Sequence, residues 1–182
     1  MRLDRTFQFR GNRDYLHSAA VLDDLLRIRH ADTTNIDLKF HRRTVQQVSY
    51  TDEPQAAPDS VAEWSDSSGK LWLVERAEYI TERVPYDEPA LVRMFEVDGR
   101  TVKSPPRTPG FTPADAMVAA FKHLLQTVHA GIERKYVFVR IRLDHCPGTA
   151  FEIRYVRDIG AFFQGDIGED GKVIGQVFFG VW

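Results

Sequence analysis

Two side chains near the start of the chain have the types and the spacing to do acid–base chemistry. His17 and Asp24 lie seven residues apart. On a helix of about 100° per residue that spacing puts them on nearly the same face, two turns apart. A rise of roughly 10 Å excludes a direct hydrogen bond, so the pair could flank a substrate but could not form a simple dyad. The ordinary alternative is that both face solvent on an amphipathic helix. Tyr15, His41, Arg154 and Arg157 are the candidate substrate-binding residues. His41 falls in the polar register of an alternating run, where it either lines an internal surface or sits exposed on a strand. Arg154 and Arg157 carry charge into an otherwise aromatic and aliphatic strand. They could bind a phosphate or an acidic surface, or form a solvated row paired to Glu152 or Asp166.

Other chemistries drop out by motif. The single cysteine, Cys146, precedes Pro147-Gly148, so it excludes an intramolecular disulfide and any multi-cysteine metal site and reads as an inert turn residue. No HExxH helix, GxSxG elbow, phosphate-cradling P-loop or GxGxxG fingerprint occurs, and no metal or cofactor is expected. A net charge of −2 argues against a dedicated nucleic-acid binder, which needs a basic face. No apolar run approaches the roughly 20 residues of a membrane span. The charged start, Met1 to Arg5, lacks the apolar core of a signal peptide, so a cytoplasmic location is expected.

The elements that must position these residues run in an order that occurs twice. A helix-like stretch over 15–29, with Ala19, Leu22, Leu25, Leu26 and Ile28 on one broad face, leads into strand-like runs ending at Asp98-Gly99-Arg100. Those runs are 36–44, 71–83 and 91–97. A second helix-like stretch over 113–130 leads into alternating runs ending at Asp170-Gly171-Lys172 and a last strand to Trp182. Thr112-Pro113-Ala114-Asp115 is a helix start: a cap, proline at the first helical position, then an acid at the positive helix end. In 137–143, Val137, Val139, Ile141 and Leu143 alternate with Phe138, Arg140 and Arg142, which predicts a half-buried strand. His129 near the second helix's C-terminus suits a structural role, and His30 and His145 fall in turns. A helix that cannot bury its apolar face alone needs a sheet to wrap it. Two small fused α+β units are therefore expected: 1–103 with a polar surface insertion at about 51–70, a proline-rich linker at 104–112, and 113–182.

With the elements in place, the run VFVRIRLDHCPGTAFEIRYVRDIGAFFQGDIGEDGKVIGQVFFGVW resembles the sheet of hot-dog acyl-thioester dehydratases and thioesterases. Pro147-Gly148 stands at their turn, and Asp170-Gly171-Lys172 opens the last strand. The first half is similar in a looser way, with His17 near the start of its helix. The resemblance implies a double hot dog, with two long helices each wrapped by antiparallel strands. It further implies an acyl group on coenzyme A or on an acyl carrier protein as ligand, bound where the two units meet. The Gly-His-Phe-Pro loop of the carrier-protein 3-hydroxyacyl dehydratases is absent, and no glutamate lies inside 113–130. A thioesterase is therefore expected ahead of a 3-hydroxyacyl-thioester dehydratase or a non-catalytic acyl-binding or assembly module. A fused pair could act as a monomer or associate further.

Overall fold

The computed structural model describes residues 2–29, 33–148 and 150–181; His30 and Trp182 lie outside them. In chain order the elements are β1 (Arg2–Arg5), β2 (Phe9–Arg10), α1 (Ser18–Arg29), β3 (Thr34–Phe40), β4 (Gln46–Thr51), β5 (Ala62–Asp66) and β6 (Gly69–Tyr79). There follow β7 (Arg83–Val84), α2 (Glu88–Val92), β8 (Glu96–Asp98), β9 (Thr101–Lys103), α3 (Pro113–Val128), β10 (Tyr136–His145), β11 (Glu152–Ile159), β12 (Phe162–Glu169) and β13 (Lys172–Val181). Among the described residues, eleven strands form one sheet in the order β1-β4-β6-β5-β3-β10-β13-β12-β11-β9-β8, and β2 pairs with β7. None of their helices is long and apolar enough to cross a membrane.

Two series of strands meet at the sheet's centre, where β3 pairs antiparallel with β10. α3 lies along β9, β10 and β11, and α1 packs against α3. The start of α3 is the one the residues call for. The Thr112 hydroxyl accepts from Asp115 N–H at 3.1 Å, and the Asp115 carboxylate accepts from Thr112 N–H at 3.2 Å, satisfying two donors that a helix end leaves open. Asp170 and Gly171 both take positive φ in the β12–β13 turn, the geometry that matches a two-residue hairpin to the twist of its strands.

Several expectations change. The helix of 15–29 begins at Ser18, and the expected strand at 91–97 is instead the short α2 followed by β8. The polar stretch 51–70 is no surface insertion over its whole length. Residues 54–59 make a 3-10 turn, but β5 follows at once, and Trp64 is fully buried there. Its polar neighbours Glu63, Ser65 and Asp66 hide a strand whose inward positions are Ala62 and Trp64. The boundary near 103 also moves. β8 pairs with β9, which pairs onto β11, so both belong with the second series, and 104–112 lies inside that series rather than between two units. Ser104 fixes this stretch: its N–H donates to the Phe151 carbonyl at 2.9 Å, and its hydroxyl accepts from Phe151 N–H at 2.9 Å.

One irregularity bears on the cavity at the sheet's centre. The β10–β13 ladder slips between Phe138 and Arg140, so the simple alternation breaks at Val139. Phe138, Ile141 and Leu143 are buried, while Val137 and Val139 are only partly covered. A bulge bends its strand and re-aims the side chains beside it.

Candidate functional site

The β3–β10 ladder stops at the Lys39–Arg140 pair. Beyond it, residues 136–139 of β10 continue against β13 alone, and the chain leaves β3 for the 41–45 loop. The sheet parts at this point, next to the β10 bulge, and a cavity of about 520 Å³ opens in the gap. That volume is within the range of small-molecule sites. Its lining is two-sided. Val137, Val139, Phe162, Gly180 and Val181 make an apolar end. Lys39, His41, Arg42, Arg43 and Thr44 make a basic one, with no acidic residue among the described residues of the wall. Tyr15, Leu16 and Ser18 close the cavity. Leu16 N–H donates to the Thr44 carbonyl at 2.8 Å, which pins the entry to α1 against the basic loop. Arg43 stacks over the Tyr15 ring with its Cζ 4.5 Å from the centroid.

Ser18 is the first residue of α1. A helix start presents backbone N–H groups without intrahelical acceptors, together with the positive end of the macrodipole. The His17 carbonyl accepts from Ala20 and Val21 N–H, so His17 is the residue at which the helix begins. Its side chain is 4% exposed, and Nδ1 has no hydrogen-bond partner among the described residues. The imidazole lies 5.4 Å from the Tyr86 ring, centroid to centroid. Burial, and then the positive charges of Arg13, Arg10 and Lys122, push its pKa well below the ordinary 6.5, so it is a neutral base near pH 7.

A polar network surrounds this histidine. Arg10 pairs with Asp115 at the start of α3, and Arg13 pairs with Glu88. Glu88 also accepts from Lys122 Nζ at 2.7 Å. The Tyr86 ring packs against Phe111 and beneath the Arg10 and Arg13 guanidiniums at 5.7 and 5.2 Å. Burial, with Asp115 and Glu88 nearby, raises the Tyr86 phenol above its usual pKa, so its O–H stays a donor. Both Asp115 oxygens are engaged, Oδ1 by Arg10 and Oδ2 by Thr112 N–H.

The sequence-predicted residues divide sharply. Tyr15 and His41 line the cavity, and burial, opposed by Glu63 and aided by Lys39, lowers the His41 pKa. His17 is not itself a lining residue, although its chain neighbours Leu16 and Ser18 are, and its ring packs against Tyr86, which does not line the cavity either. The alternative that His17 and Asp24 face solvent does not hold, since both are buried. Nor do the two side chains share surroundings. Asp24 accepts from Arg5 Nε at 2.7 Å and from the buried Tyr50 hydroxyl at 2.9 Å, on the side of α1 that faces β1 and β4. Arg154 is exposed and 3.8 Å from Asp166, and Arg157 is exposed with its Nε 3.2 Å from Gln164 Oε1. Neither reaches the cavity; both form the solvated row that was the alternative. His129 is structural, its ring packed among Tyr136, Tyr155 and Phe163. Ser18, Tyr86 and Asp115 were not singled out for a site from the sequence. Their only signals were a helix start, a proline-flanked break at 85–89, and a cap.

Two solved structures cover the chain nearly end to end. One is the dehydratase domain of RzxB from Pseudomonas fluorescens, with a TM-score of 0.50 and 14% identity over 98% of this chain and 93% of that one. The other is the tesB protein of Mycobacterium avium subs paratuberculosis, with a TM-score of 0.50 and 11% identity over 100% of this chain and 92% of that one. The chain has the hot-dog fold. No protein-family model and no curated protein sequence matches it, so the likeness lies in the path of the backbone. On that hot-dog scaffold, the parting of β3 from β10 sets the place of the cavity, and the first turn of α1 sets its polar end.

Proposed function

We propose that the chain binds an acyl thioester in the cavity between β3 and β10 and hydrolyses it. One observation carries the reading: a cavity with an apolar side and a basic side meets the start of α1 at Leu16 and Ser18, the two chain neighbours of the buried His17. The apolar end suits an acyl chain. Lys39 and Arg43 suit the phosphates of coenzyme A or of a carrier-protein phosphopantetheine, while the Arg42 guanidinium is held by Glu75 and the Asp59 carbonyl. The thioester then lies near Ser18, where backbone N–H groups and the helix dipole stabilise the oxyanion that forms as water adds to the carbonyl carbon. His17, neutral, with no partner for Nδ1 among the described residues and with both chain neighbours in the cavity wall, is the base assigned to take the proton from that water. Collapse of the tetrahedral adduct breaks the C–S bond and releases the thiol, which takes up the proton, and the free acid. Asp24 has no part in this scheme.

The same residues support a second reading. His17, the Tyr86 phenol and Asp115 bring a base, a donor and a carboxylate to the junction of α1 with α3, as an elimination from a 3-hydroxyacyl thioester requires. Hydrolysis is preferred because Asp115 is tied to a structural task, pairing with Arg10 and capping α3 through Thr112. Within either reading, the two strand series are taken as two fused hot-dog units. β1 to β6 with α1 form the first, β8 to β13 with α3 form the second, and they join along β3 and β10.

The test is a panel of acyl-CoA and 3-hydroxyacyl-CoA thioesters, followed by free thiol and by enoyl absorbance. Thiol release that falls by about 10² or more in His17→Gln supports hydrolysis with His17 as base. Enoyl formation without thiol release moves the assignment to dehydration. Thiol release at wild-type rate in His17→Gln would sink the role given to His17, and no turnover on any member would leave a binding module.

A further inference from the structure

Four glycines interrupt β12 and β13: Gly165, Gly168, Gly175 and Gly180. A glycine inside a strand gives up packing and costs backbone entropy, so each needs a reason. Three have one in the protein itself. A Cβ on Gly165 would stand 2.6 Å from Phe121 Cε2 and 2.9 Å from Ile153 Cγ2. One on Gly175 would overlap the Arg142 carbonyl oxygen, and one on Gly168 would press Glu152 Cγ at 3.3 Å. At Gly180 the steric reason is the weakest of the four. Its backbone is not in the left-handed region, and a Cβ there would meet only Val139 Cγ2 at 3.4 Å and the Phe162 ring at 3.6 Å, which is ordinary contact.

Gly180 is also the strand glycine that lines the cavity. Around it the wall is apolar and partly open. Phe162, directly opposite Gly180 in the ladder, is 44% exposed, and the neighbouring Val181 is 41% exposed. A side chain at 180 would grow against Val139 and the partly exposed Phe162 ring, so its absence lets that ring lie back against β13 and leaves the apolar end of the cavity wider. The basic residues stand at the other end, on the 39–44 side.

We infer that Gly180 and Phe162 form the wall against which the acyl group lies, and that the missing side chain at 180 sets how large an acyl group the cavity accepts. This rests on the thioester reading and gives it a direction. The acyl chain runs along β13 and β12, and the thiol-bearing arm leaves past Lys39 and Arg43. A valine side chain at 180 removes the room of one or two methylenes. A pocket contact of that size discriminates substrates by roughly 10–200-fold.

The experiment measures kcat/KM for straight-chain acyl-CoA thioesters from acetyl to palmitoyl, on wild type, Gly180→Ala, Gly180→Val and Phe162→Ala. Dissociation constants for the matching non-hydrolysable thioethers are measured alongside, and circular dichroism melts check that each variant is folded. The readout is the ratio of the longest accepted chain to acetyl. That ratio should fall by about tenfold or more in Gly180→Val, fall less in Gly180→Ala, and rise in Phe162→Ala. A folded Gly180→Val that weakens every chain length by one common factor would place the thiol arm at this wall and overturn the inference. An unmoved ratio would do so as well, and would leave Phe162 as a mere cover for the glycine. In both of those cases wild type still acts on or binds thioesters, so the thioester reading survives. If wild type neither turns over nor binds any member, both fall together.

Discussion

Replacing Asp24 separates a structural carboxylate from a catalytic one. Asp24 lies on α1 with an 11% exposed side chain, paired to Arg5, which is 32% exposed, and it accepts the hydroxyl of Tyr50, which is fully buried. Asp24→Ala strands these two partners unequally. Arg5 reaches water and re-solvates, so its loss is close to that of a surface pair, about 0–1 kcal/mol. Tyr50 cannot reach water, and its orphaned hydroxyl costs about 1–3 kcal/mol. Together the expected loss is about 3 kcal/mol, the low end of the range for breaking a buried pair, or about 6–12 °C in Tm for a chain of this size. Tyr50→Phe in the Asp24→Ala background removes the stranded hydroxyl and should recover about 1–2 kcal/mol. Urea unfolding of wild type, the two single variants and the double variant closes the cycle, with thioester turnover read below each transition. A loss under about 1 kcal/mol, or no coupling between the two sites, would refute this placement of the carboxylate. Turnover abolished at unchanged stability would return Asp24 to catalysis.

Two further outcomes are expected from the same geometry. His17 is held neutral with its folded pKa below the unfolded value of 6.5, so the unfolded chain binds more protons in the window below 6.5. Its contribution to stability is therefore complete above pH 6.5 and is lost as pH falls below it, by at most about 1.4 kcal/mol per pH unit. Urea midpoints between pH 7 and 5 should drop less steeply in His17→Gln; equal slopes would contradict a buried neutral imidazole. Among the strand glycines, Gly165→Ala must displace Phe121 or Ile153 and should cost about 1–3 kcal/mol. Gly175→Ala, which drives a Cβ into the backbone of β10, should cost more. Thermal melts in which Gly175→Ala matches wild type would refute the close approach of β13 to β10.

Local pattern carried the second half of the chain further than the first. Thr112 to Asp115 holds a complete capping box within four residues, and the β12–β13 hairpin lies in a turn that needs positive φ at two positions. Both were readable because their determinants are neighbours in sequence. β5 was not, because five residues with alternating Ala62 and Trp64 amid polar side chains fall below the length at which period-two patterning stands out. The allegiance of β8 and β9 was also hidden, since the hydrogen bonding of β9 to β11 joins residues some fifty positions apart. For His17 the helix position was legible and the burial was not. The Tyr86 ring against it and the Lys122 charge near it arrive from the segment before α2 and from α3.

Residue order alone was enough to specify two helices able to bury an apolar face, a series of alternating strands with glycine-containing turns, and the absence of short catalytic motifs. These follow from steric preferences and periodicities that act over a few residues. Long-range packing had to settle that β3 and β10 meet and then part, that a bulge turns Val139 toward the gap, and that the start of α1 closes it. It likewise separated Asp24 from His17 and left Arg154 and Arg157 on an outer strand. Those outcomes depend on strand register and on which distant segments supply a partner for each buried polar group. No local propensity encodes either one.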